Sequence, residues 1–260
     1  FEIAIAGATS EDVDESLAPG RFGMAEETGV LLNEAIRHGA DRGHGLGEAV
    51  AEFLSERNPA FADHSIAVAA HRLKVPITVH VALGTDIIHM HPAASGAAFG
   101  ETSLRDFRYF TALVAKLDGG VYVNCGSAVV LPEVFLKAVA LARNQGVALH
   151  DLTTVNIDFL RMYRPQTNVV TRPVAGTSGA GISLIGHHEV LIPLLAAANS
   201  WPPSGPSAFS CPSSGPCRWG TNPTRRRCAQ RSRRLHNRRP WLLAERAKGG
   251  LVNKCGNRVQ

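Results

Sequence analysis

The sequence has no run of about 18 consecutive apolar residues, so no segment reads as a membrane-spanning helix. No secretory signal pattern is visible, and a cytoplasmic location is expected. There is no initiator methionine: the chain opens Phe1-Glu2-Ile3, which reads as the inside of an element, and a missing upstream segment is expected. No internal repeat recurs, which leaves out solenoids and arrays. Cysteine is sparse in the first 200 residues, where only Cys125 occurs. The remaining four, Cys211, Cys217, Cys228 and Cys255, all lie later.

The 260 residues suggest one or two domains. The net charge of +5 averages two unlike parts. Residues 201–260 hold 11 Arg, 2 Lys and 1 Glu and carry +12, so residues 1–200 carry −7. Apolar periodicity stops at Asn199, which divides the chain into a globular domain, 1–199, and a basic Pro/Ser/Arg/Cys-rich tail, 200–260. Three readings of the tail compete. Clustered Arg suits a nucleic-acid partner, if the tail is genuine. Cys211, Cys217, Cys228 and His236 suggest a zinc module but lack paired tight knuckles. The composition also suits out-of-frame translation of a GC-rich gene, the favoured reading. On each of them the tail is expected to be poorly ordered.

Within the first part, strands alternate with helices, which argues a parallel sheet covered by helices on both faces. The central stretch, Gly119 to Gly146, reads as strand, small-residue turn and helix. Val121 to Val123 suit a buried strand. Residues 124–128 lack bulk and permit close approach to the backbone. Pro132 fits a first helical turn, and Gly146 a helix end. Helices are expected at 24–38, 48–57 and 65–73, and from Ser103, as cap, to Leu117. Residues 9–12 resemble a helix start, and residues 1–8 leave helix and strand open. Strands are expected at 74–82, 147–154 and 182–185, an irregular stretch at 163–181, and a last helix at 186–198.

Several side chains are candidates for chemistry. His89-x-His91 and His187-His188-Glu189 could assemble a zinc site of His89, His91 and His187, loosely similar to the HxH motif of amidohydrolase-type enzymes, and a metal-dependent hydrolase. HxH alone recurs by chance, and adjacent His187 and His188 point apart on a helix. Asp86 and Asp158 follow expected strand ends, where an acid can hold a ribose hydroxyl or an amine. Glu133 suits either a site or the helix dipole. Asp106 reads as a solvated helix residue, and Cys125 as a small buried cysteine.

The order of these pieces resembles the deoxyhypusine synthase family over about Phe1 to Leu195. Ser65-Ile66 to Ala70 followed by Val75-Pro76-Ile77 is similar to that family's helix and strand. Asp106-Phe107-Arg108 is similar to its Asp-x-Arg helix, and 126–130 stands at its triple-glycine turn. Thr153-Thr154 is similar to its Asn-Thr strand end, and Ile192-Pro193-Leu194-Leu195 to its closing Phe-Pro-Leu-Leu. The resemblance implies a Rossmann-like sheet, NAD as cofactor and a homo-oligomer. It implies Gly126, Ser127, Thr154, Asp158 and Asp86 at the dinucleotide and a transferase or oxidoreductase acting on an amine-bearing small molecule. His187, His188 and Glu189 are then the acid–base candidates. The family's imine-forming lysine has no counterpart, because no lysine occurs between 138 and 247. Its upstream strand and Gly-rich turn have none either. The remaining alternative is an inactive fragment.

Overall fold

A computed structural model describes residues 1–9 and 13–200. The tail lies outside the described residues, as does most of the helix start expected at 9–12. What is described is mixed α/β, with a helical first half and a small parallel sheet in the second.

The first half contains α1 (Glu2–Ala6), α2 (Val13–Leu17), α3 (Glu26–Arg42), α4 (Leu46–Arg57) and α5 (Ile66–Leu73). Apolar residues of α1, α3, α4 and α5 meet in one core with Ala4, Ile36, Leu46, Leu54, Ile88 and Phe99. Small residues set the α3–α4 distance: a side chain on Gly39 would run into Ala49. Asn33 is buried in α3. Its Nδ2 donates to Gly29 O (2.8 Å) and to Ile88 O (3.2 Å), pinning the 3-10 turn Ile87–Met90 onto the helix. Ser65 caps α5 through Val68 N–H.

Helix α6 (Gly96–Val114) joins the two halves. Ala98 and Phe99 at its start enter the first core, and Val114 at its end enters the second. Ser95 is its cap. Ser103, expected there, lies inside the helix and is used otherwise.

The strand expected at 74–82 is not formed: among the described residues this segment has no ladder partner. Side chains of α6 take its backbone hydrogen bonds instead. Asp106 Oδ2 accepts from Val79 N–H (2.7 Å) and from Gly47 N–H (2.8 Å). Ser103 Oγ accepts from Val81 N–H (3.1 Å) and donates to Val79 O (3.3 Å). Gly47 has no room for a side chain because the Ile77 carbonyl passes against it. Asp106 is therefore buried, not solvated, and burial pushes its carboxyl above the usual range, with the backbone N–H donors opposing.

The second half is β1 (Val121–Cys125), α7 (Val130–Asn144), β2 (Thr153–Asp158), a helical stretch and β3 (Ala180–Ile185), then α9 (His188–Ser200). The helical stretch starts with α8 (Tyr163–Pro165) and continues through Gln166–Thr171 and Arg172–Val174. This replaces the first part of the irregular segment expected at 163–181; residues 175–179 are turn, bend and irregular chain before β3 begins at Ala180. Strand order is β1-β2-β3, all parallel, with Tyr122 opposite Thr154 and Gly181, and Asn124 opposite Asn156 and Ser183. The strand expected at 147–154 is displaced. Val147, Leu149 and Leu152 fill the second core first, and the ladder begins at Thr153.

One sheet face packs on α7: Tyr122 and Phe135 stack at 3.6 Å, over a core with Val139, Ala142 and Val169. The opposite face carries Val121, Val123 and Ile182, which are 57%, 48% and 43% exposed. The expected coverage of both faces is therefore not seen among the described residues. Cys125 alternates onto this face and is exposed, not buried.

Candidate functional site

The carboxyl ends of the strands gather the most polar chemistry. β1 ends at Cys125, and Gly126 turns the chain with φ 70°, a left-handed conformation that favours glycine. Its N–H donates to Ile157 O (3.0 Å) on β2. Ser127 Oγ accepts from Leu131 N–H (3.2 Å), satisfying one of the free donors at the start of α7. Beneath this turn Asn124 Nδ2 donates to Ser127 O (2.9 Å) and to Asn156 Oδ1 (2.7 Å). Asn124 Oδ1 is buried without a partner, as are Thr154 Oγ1 and Ser183 Oγ. Asn124, Asn156 and Ser183 thus form one polar row on the face that packs against helices.

Asp158 is the last residue of β2 and is buried. Its Oδ1 accepts from Phe159 N–H (2.8 Å) and Leu160 N–H (3.5 Å), which fixes the turn leaving the strand. His188 Nε2 donates to Ile157 O (3.1 Å), and its ring is the nearest neighbour a side chain on Gly126 would meet, at 3.4 Å. This bond places the proton on Nε2 and leaves the Nδ1 lone pair free to accept one. His187 is exposed and stacks on Phe159, centroids 6.2 Å apart. Glu189 is exposed in the first turn of α9. At the start of α7, Glu133 Oε1 accepts from Asn168 Nδ2 (2.8 Å) and Oε2 from Lys137 Nζ (3.2 Å), so its first-turn carboxylate is held by side chains from two elements.

The structure thus brings together Gly126, Ser127, Asp158, His187 and His188 at one end of the sheet. Two residues of the expected set lie elsewhere. Thr154 is near the amino end of β2, four residues or about 13 Å below Asp158. Asp86 sits in the helical half, where its Oδ1 accepts from Ile88 N–H (3.2 Å) and caps the 3-10 turn.

The expected zinc ligands are not assembled. Among the described residues no three His, Cys, Asp or Glu side chains converge on one point. His89 Nδ1 accepts from Gly84 N–H and Asp86 N–H, both 3.2 Å. His91 Nδ1 accepts from Ala93 N–H (3.0 Å), and its Nε2 faces Glu26 Oε2 (3.3 Å). A neutral imidazole has one lone pair, and both rings spend it on backbone amides. A cavity of about 150 Å³ beside His91, lined also by Met24, Glu26, Ile87 and Met90, holds none of the residues gathered at the sheet.

Asn124, Asn156 and Phe159 were not singled out as site residues from the sequence. A signal exists for the first two: Val123-Asn124 and Val155-Asn156 put the same uncommon strand residue at matched positions. Nothing in the sequence marks Phe159. No family model, no curated protein and no solved structure matches this chain.

Proposed function

We propose that the chain binds a nicotinamide dinucleotide at the carboxyl end of its sheet and acts, as a deoxyhypusine synthase-like enzyme and homo-oligomer, on an amine-bearing small molecule. Its three strands are read as part of a Rossmann-like sheet. The observation that carries this reading is the β1–turn–α7–β2 unit, with Gly126 and Ser127 at the helix start and a buried carboxylate, Asp158, at the tip of the adjacent parallel strand. A strand, a small-residue turn, a helix N-terminus and an acid ending the next strand suit a pyrophosphate and a ribose hydroxyl.

The residues present fit the cofactor at these points. The Gly126 turn is bare apart from the His188 ring, and Asn124 offers an unused acceptor beneath it. Bound there, the dinucleotide would supply hydride transfer. Asp158 would hold the ribose, and Ser127 and the first amides of α7 the phosphates. His188, with Nδ1 free, would accept the substrate amine's proton, and Glu189 and His187 would exchange it with solvent. Imine chemistry through lysine is not part of the reading, since none occurs between 138 and 247.

Thermal melts of the full chain with NAD test this. Ligand at about 100 times its Kd adds about 2.7 kcal/mol, and Asp158→Asn should remove most of that shift. An unshifted melting curve at millimolar NAD would overturn the reading, and an equal shift in Asp158→Asn would remove Asp158 from the site.

A further inference from the structure

The cavity of about 150 Å³ beside His91 lies between the start of α3 and the turn Ile87–Pro92, in the helical half. Interiors are close-packed, and a void of this size shrinks wherever its walls are free to relax. These walls are held. Asn33 Nδ2 donates to Ile88 O (3.2 Å) and ties the turn to the helix. Gly29 lets the His91 ring lie on α3, where a Cβ would meet it at 2.5 Å. Gly23, left-handed at φ 71°, brings the preceding chain onto Ile87, where a Cβ would meet that side chain at 2.7 Å. Three close contacts, one of them a hydrogen bond, therefore fix the separation of the two walls.

The lining is apolar except at one point. Met24, Ile87, Met90 and Pro92 form most of it, and no Lys or Arg takes part. The exception is the pair Glu26 and His91. His91 Nδ1 accepts from Ala93 N–H (3.0 Å), so its neutral ring carries the proton on Nε2, which faces Glu26 Oε2 at 3.3 Å. This leaves Glu26 Oε1 without a partner among the described residues. The His91 side chain is 18% exposed and that of Glu26 77%, so the ring belongs to the wall and the carboxylate to the mouth. Glu27 joins Glu26 in the first turn of α3, and the two acids answer the positive end of the helix. An anion is repelled at this mouth, and a cation is drawn to it.

We propose that this cavity binds a small organic cation. Its apolar body, about the size of one six-membered ring, lies against Ile87 and the two adaptable thioethers of Met24 and Met90. Its protonated nitrogen donates to Glu26 Oε1. Burial of the body supplies the affinity, and the half-solvated carboxylate supplies the choice of charge. The site stands apart from the carboxyl end of the sheet and does not depend on a dinucleotide there.

Amide NMR titrations of the full chain at neutral pH test it, with three probes that share one ring: benzylammonium, benzyl alcohol and benzoate. Benzylammonium should give saturable shifts at Met24, Gly29, Ile87 and His91, with a Kd of about 1 mM or below. Benzyl alcohol should bind more weakly, and benzoate should leave these amides unmoved. Glu26→Gln keeps an acceptor for His91 but removes the charge. It should weaken benzylammonium by about 3-fold or more and leave benzyl alcohol unchanged. Ala25→Leu puts a larger side chain on the cavity wall and should abolish binding of both, while the α4 amides, the folding control, keep their positions. No saturable shift with benzylammonium would overturn the proposal. So would benzoate binding as tightly as benzylammonium, or an unchanged Kd for benzylammonium in Glu26→Gln or in Ala25→Leu.

Discussion

Replacing Asp106 with Ala should loosen the attachment between the first core and α6. The carboxylate is 3% exposed and accepts from Gly47 N–H and Val79 N–H through one oxygen, with Leu46 N–H as a further donor. Alanine leaves at least two buried N–H groups without an acceptor, at about 1–3 kcal/mol each. Removing a buried charge returns part of that cost. The expected net loss is about 2–4 kcal/mol, roughly 5–15 °C in a unit of this size. Asp106→Asn should cost less than Ala, because its amide oxygen can still serve Gly47 and Val79 while its NH2 faces Leu46 N–H. Urea melts at neutral pH with unchanged slope provide the measurement. A second readout is pH. Burial raises this carboxyl in the fold, so between the ordinary carboxylate value and the raised one the folded chain holds a proton that the unfolded chain has released. The stability from this group is therefore present in acid and lost as pH rises through that window. Asp106→Asn should abolish that decline. A loss below about 0.5 kcal/mol in Asp106→Ala, or the same pH slope in Asp106→Asn as in the wild type, would refute the reasoning.

Other substitutions probe the same architecture. Gly47→Ala drives a methyl against the Ile77 carbonyl and should cost about 1–3 kcal/mol in urea melts. Phe135→Ala removes a fully buried ring stacked on Tyr122 and should cost about 3–5 kcal/mol, read the same way. His80 titrates below its ordinary value because of burial, so the unfolded chain binds the proton first. Its contribution is present above about pH 6.5 and is lost as pH falls toward the lowered value, and His80→Gln should flatten that part of a stability–pH curve.

The helices that a hydrophobic period marks were readable from the sequence, α3, α4, α5 and the β1–α7 unit among them, because each buries one stripe against a neighbour. A helix end was readable where one residue type carries the geometry, as at Gly146, which is left-handed at φ 88°, whereas the cap expected at Ser103 is Ser95. What failed depended on partners. Residues 75–82 have the alternation of a strand, yet a ladder needs a neighbour, and α6 side chains answered their amides first. Asp106 looked solvated, but it falls on the buried stripe of α6 with Phe99, Thr102 and Val114. Pro165 and Pro173 suggested irregular chain at 163–181. Both stand in short helical turns where a missing N–H costs little.

The candidate site was harder to read than the fold for one physical reason: it sits where strands stop. Val147 to Thr154 is apolar enough to be a strand, and ending it at Thr154 made that threonine a site residue. The chain instead spends Leu149, at φ 47°, and Leu152 on filling the second core. Pairing starts at Thr153, and the ladder carries Asp158 to the tip. A shift of four residues leaves the burial pattern almost unchanged but exchanges which end of the sheet each polar group occupies. Asn124 and Asn156 escape that ambiguity only as a pair, because their side chains meet across the ladder at 2.7 Å and fix its register where the turn begins. Matched polar residues in neighbouring strands therefore locate a strand end better than either strand's own composition does.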